Sequence, residues 1–186
     1  MSGASINPVA RPLQSGGGLA TEAILTTHRI LGAFGRDART FDILHADLFD
    51  SRREVVLSAL RALAGTKDRR SFVYVARLFR HHDPEIVSAA VRAGGALAPP
   101  DAMPVFFKLA TSSRVETVLL ELLRAMARCC ADAPELRQLA TALSRSVTAH
   151  PETRAAAIEI LMRHDKGSDA ADPARHKAGR HPAVPC

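Results

Sequence analysis

The residues whose types and spacing could do chemistry in this chain are histidines, cysteines and a large set of arginines. His81, His82 and Asp83 are three metal-ligating types in a row. Consecutive residues at a helix junction point apart, however, and no second ligand pair stands at i, i+4, the spacing that puts two donors on one helix face. No metal and no cofactor are therefore expected. His164, next to Asp165, and the later His176 and His181 are expected to face solvent. Cys129 and Cys130 end a predicted helix close to Arg124 and Arg128. A helix C-terminus raises a thiol pKa, so these read as two small buried residues rather than as a nucleophile. With the third cysteine at position 186, they make neither a disulfide framework nor a zinc spacing, and reduced thiols are expected.

What remains is recognition chemistry. Arg70, Arg77, Arg80, Lys108, Arg137 and Arg145, with Tyr74, Gln138 and Thr141 among them, could hold acidic groups. The chain has 25 basic residues, of which 4 are Lys, against 19 acidic ones, for a net charge of +6. Tyr74 is the single Tyr and there is no Trp, so base stacking on a nucleic-acid single strand has little support. Phosphate contacts to a duplex stay open.

The elements that position these residues are helices. Apolar residues make up 47% of the 186 positions and aromatics only 4%, so Ala and Leu carry the core, as suits closely packed helices. A shift of 31 residues puts Glu54 on Glu85, Val55 on Ile86, Ala59 on Ala90, Arg61 on Arg92 and Ala62 on Ala93. The same shift puts Phe72 on Met103, Val75 on Phe106 and Leu78 on Leu109. Two helical patterns per fixed period are the signature of a stacked helical array. Residues 1–19, rich in Gly, Ser and Pro, read as a disordered arm, residues 20–165 as the repeat domain, and residues 166–186 as a flexible tail. Ser51 with Glu54, and Ser113 with Glu116, have the spacing of capping boxes. Asp83 and Asp101 read as further N-caps, Gly35 and Gly65 as helix stops, and Gly94 with Gly95 as a close helix approach.

The segments DPEIVSAAVRAGGALA and HPETRAAAIEILMRH, each an Ala-rich helix opened by Pro and Glu, resemble HEAT repeats of the short bacterial type over about residues 21–164. The resemblance implies an all-α fold, an α-solenoid of about four and a half HEAT-like helical hairpins. It also implies second helices lining a concave face, with Tyr74, Val105 and Gln138 in one row and Arg77, Lys108 and Thr141 in the next. Arg70, Arg80, Arg137 and Arg145 flank those rows. The family places an Arg just after the first apolar residue of its first helix. Only Arg154 occupies that slot, and Val56, Val87 and Val118 replace it elsewhere, so contacts between repeats should be more apolar than usual. Some HEAT-like proteins are enzymes, among them a hydroxylase family with His-Glu pairs and a DNA glycosylase family that uses aromatic side chains, and this sequence has no His-Glu dipeptide and no Trp.

The expected function is thus a non-catalytic adaptor that holds a protein partner, an acidic one, on the basic face. Nucleic-acid binding through the arginines is the alternative. A second surface is expected on the last helix, where Ile158 and Ile160 have no second helix of their own repeat to cover them and a second copy could dock. Residues 1–20 lack the apolar core of a signal peptide, and no stretch reaches about 18 apolar residues, so a soluble cytoplasmic protein that does not enter the membrane is expected.

Overall fold

The structure is a computed structural model that describes residues 15–35, 37–99 and 101–170. Nine α-helices account for most of the described residues: α1 (Ser15–Phe34), α2 (Ala38–Asp47), α3 (Arg53–Thr66), α4 (Phe72–Arg77), α5 (Pro84–Leu97), α6 (Met103–Ser112), α7 (Glu116–Cys129), α8 (Pro134–Arg145) and α9 (Pro151–Ala170). The first helix thus starts at Ser15 and the last runs to Ala170, so the boundaries drawn at 19/20 and 165/166 both fall inside helices. The remainder of both end segments lies outside the described residues, as do His176, His181 and Cys186.

The odd-numbered helices form one layer, with α1 on α3, α3 on α5, α5 on α7 and α7 on α9. Small residues let them approach closely. A Cβ added at Gly32 would stand 2.7 Å from Ala62 Cα, and one at Gly95 would stand 2.7 Å from Ala125 Cβ. The paired glycines of α5 are therefore packing devices, and Gly94 leaves room for the Phe79 and Phe106 rings. The even-numbered helices form the second layer, and each leans on the helix that follows it: α2 on α3, α4 on α5, α6 on α7 and α8 on α9. The core lies between the layers. Phe72, Phe79 and Phe106 meet there with centroids 5.8–6.2 Å apart, Phe72 edge-to-face with both of the others, as aromatic rings favour, and Phe79 tilted on Phe106.

Helix ends follow the sequence only in part. Asp83 caps α5 by accepting the Glu85 N–H at 2.8 Å, with Pro84 in the first turn, where its missing N–H costs nothing. The two capping boxes do not form. Arg52 and Val115 occupy the N-cap positions of α3 and α7 without a side-chain bond, because those helices begin one or two residues later than the spacing suggests. Asp101 does not cap α6 either, since Ala102 stands at its N-cap. Gly65 stays helical and lies against Gly32, and α3 ends instead at Lys67 in the left-handed region, φ 56°.

Contacts between units are less purely apolar than the valines suggest. The Glu121 carboxylate on α7 accepts bonds from Arg92 of α5 at 3.1 and 3.2 Å and from Arg124 at 3.2 Å. Arg53 of α3 pairs with Asp83 and Glu85 at the start of α5, and Thr153 of α9 donates to Glu116 at 3.0 Å. Arg154, in the slot the family uses for such pairing, donates to the Ala149 carbonyl of its own loop.

Candidate functional site

α4 is short, six residues between 3₁₀ turns at Arg69–Ser71 and Leu78–Arg80. It rests on α5 and makes no extensive contact with α6, its neighbour in the second layer. An open groove of about 700 Å³ lies between them. Val73, Ala76 and Phe79 line one wall, and Pro104, Val105 and Leu109 line the other. The floor is apolar, because the same helix turns that bury Phe79 and Phe106 leave Val73 64% and Val105 42% exposed. Such an apolar patch with a polar rim is the usual mark of an interaction site.

Arg77, Arg80 and Lys108 line that groove, so three of the predicted basic residues come together. None of the three forms an ion pair among the described residues. They are solvated cations beside apolar surface, positioned by rigid helices. Tyr74 sits beside them and is held by two neighbours. Its ring stacks on His45 of α2 with centroids 3.9 Å apart, and Arg77 lies 5.7 Å above its centroid. Burial lowers the His45 pKa, which favours the neutral ring. His45 Nε2 is 3.0 Å from the buried Ser71 hydroxyl.

The other predicted residues are not part of this groove. Arg70 is engaged by Asp68 through contacts of 2.7–3.1 Å and lies over the Phe41 ring, so its charge is locally answered. Arg137 is turned toward His164 of α9, and Thr141 donates to the Arg137 carbonyl. Gln138 and Arg145 are exposed on α8, which packs on α9, and neither lines the groove between α4 and α6. On α9, Ile160 is half-buried and lines a cavity with Ala127 and Leu136, whereas Ile158 remains 39% exposed. α8 covers the inner side of α9, a role that sequence periodicity assigned to no helix.

The residues singled out for metal or nucleophilic chemistry have structural tasks. His81 Nδ1 accepts the Asp83 N–H at 3.0 Å, and Asp83 is shared between Arg53 and the α5 cap. Burial, with the neighbouring Cys130 thiol, pushes the Cys129 pKa up to about 12. Among the described residues no helix is long and apolar enough to cross a membrane.

No curated protein matches this chain. The family model described as HEAT repeats matches residues 40–127, a span that runs from α2 through α7. It covers the three packed pairs α2–α3, α4–α5 and α6–α7 and contains the whole groove between α4 and α6. From the match and the two-layered helical stack together, residues 40–127 are HEAT repeats.

Proposed function

We propose that this protein is a non-catalytic scaffold that holds an acidic segment of a protein partner in the groove between α4 and α6. One observation carries the reading: an apolar floor is rimmed by three cations, Arg77, Arg80 and Lys108, that no carboxylate of the described chain answers. HEAT repeats are in general protein-interaction scaffolds, which agrees with it. The ligand chemistry follows from the lining. Val73, Val105 and Leu109 take apolar anchors, and the rim takes Asp or Glu on either side of them. The chain's own ends do not complement the rim. Residues 1–14 carry Arg11 and no acid, and residues 171–186 carry two Arg and one Lys against Asp172. The apolar floor also favours a peptide over a polyphosphate, for which Arg70 and Arg137 would have to leave their present partners.

Selection of a random displayed-peptide library on the full chain tests this. The expected winners place two or three apolar residues among carboxylates. Their binding should fall at least about tenfold with Arg77→Glu plus Lys108→Glu, and similarly with Val105→Asp. Winners indifferent to all three changes would put the site elsewhere. Retention of a labelled DNA duplex that declines steeply with salt and is lost in the same charge reversals would replace the peptide reading with the nucleic-acid one.

A further inference from the structure

α1 carries three strongly exposed large apolar side chains. Leu19 is 76%, Ile30 55% and Phe34 81% exposed, and Ala23 and Thr27 between them are exposed too. Positions 19, 23, 27, 30 and 34 follow steps of four, four, three and four and so share one side of the helix. The opposite side, with His28 and Gly32 buried, faces the fold. α1 packs chiefly on α3, because α2 leans forward on α3 as well. Ile43 of α2 and Phe49 in the turn after it, 43% and 55% exposed, add to the apolar surface of this first hairpin.

The stripe is complementary to itself when reversed. In an antiparallel pair with Leu19 level with the other copy's Phe34, Ala23 is level with Ile30, since both pairs of numbers have the same sum. The bulky end of one helix then meets the smaller end of the other, as ridges-into-grooves packing requires. Charge fits the same register. Glu22 and Arg29 are seven residues apart on one flank of α1, on the side facing α3, and neither has an ion-pair partner among the described residues. In the antiparallel pair, Arg29 of the second copy falls about two residues, ~3 Å, from the level of Glu22 on the same side, and the two-fold axis makes that contact twice.

We propose that two copies of this chain associate through the outer faces of α1, antiparallel and related by a two-fold axis, with Leu19 on Phe34, Ala23 on Ile30 and Glu22 paired with Arg29. The apolar stripe, about 22 Å long, supplies the association, and the charge pairs fix its direction. A parallel pair would set Glu22 beside Glu22 and Arg29 beside Arg29. The groove between α4 and α6 lies on other helices, so this interface and that site stand or fall separately.

Sedimentation equilibrium of the full chain over a wide concentration range gives the test. A mass of two copies is expected. Ile30→Glu with Phe34→Glu should give one copy at the same concentration, with unchanged helical circular dichroism because both side chains face solvent. Glu22→Arg alone and Arg29→Glu alone should each weaken the dimer at least about tenfold. An equimolar mixture of those two variants should recover it, because both cross-contacts then join Arg to Glu. A monomer at every concentration overturns the proposal, as does a dimer indifferent to Ile30→Glu with Phe34→Glu. A mass growing beyond two copies would mean head-to-tail contact between α9 and α1 and overturns it too. So does a mixture no tighter than its parts.

Discussion

The imidazole of His45 lies parallel to the Tyr74 ring, centroids 3.9 Å apart and planes 12° from parallel, and this stack ties α2 to α4 beside the groove. The packing of a neutral imidazole has a sign in pH. Burial holds the folded His45 pKa below its ordinary value of 6.5, so the unfolded chain binds the proton more readily. The stability this residue contributes is complete above about pH 6.5 and is lost as the pH falls through the folded value. Thermal melts between pH 7.5 and pH 5 should show a decline that His45→Phe removes.

Tyr74 itself is expected to be structural as well as exposed. Tyr74→Ala should lower stability by about 1 kcal/mol through loss of the stack, and Arg77→Ala should leave stability nearly unchanged. Chemical denaturation of the two variants separates the roles, which the sequence had joined in one binding surface.

Gly95→Ala would improve helix propensity by about 1 kcal/mol in isolation. Here its Cβ meets Ala125 Cβ at 2.7 Å and Cα at 3.0 Å, so α5 and α7 must separate. A net loss of about 1–3 kcal/mol is expected from urea denaturation. Gly18→Ala, with nothing within 4 Å of the added carbon, should show no such loss.

Glu121 is 7% exposed and answers two guanidiniums, Arg92 from α5 and Arg124 from its own helix. Glu121→Ala should cost about 1–2 kcal/mol, between the values for surface and buried pairs, because Arg92 and Arg124 are themselves half in solvent. Glu121→Met, which keeps the volume and drops the charge, should cost less. Denaturation midpoints of the two variants decide it.

Cys129, with its thiol pKa near 12, is protonated at neutral pH. Alkylation by iodoacetamide at pH 7.5, read by mass spectrometry of the peptide that contains it, should be at least about tenfold slower than for free cysteine.

The repeat was legible because its apolar residues recur at a fixed distance, and burial of Val55, Ile86, Ala59 and Ala90 follows that recurrence. So was the packing role of Gly94 and Gly95, since two glycines in a helix imply a close neighbour. The start of α5 at Asp83 was legible, and those of α3 and α7 were not. Ser51 and Ser113 have the right spacing to Glu54 and Glu116, but Arg53 and Glu116 are drawn into contacts with α5 and α9 that no local pattern contains. The groove was half visible. Arg77 and Lys108 are related by the 31-residue shift, with Arg80 flanking them, whereas Arg137, Gln138, Thr141 and Arg145 lie on α8 and line no part of that groove. The α1 stripe could have been found from the period of Leu19, Ala23, Ile30 and Phe34. It was hidden because Ile24 and Leu31 make an inner stripe on the same helix, and only packing tells which of the two is covered.

The glycine contacts carry one more consequence. The odd-numbered helices meet nearly backbone to backbone at Gly32 and Gly95, which leaves no side chains there to yield. α4 and α6 rest chiefly on α5 and α7 and meet each other through the Phe72 and Phe106 rings. The fold is therefore a stiff spine bearing ribs joined to one another by a few rings, and a guest entering between two ribs can shift side chains without unseating the spine.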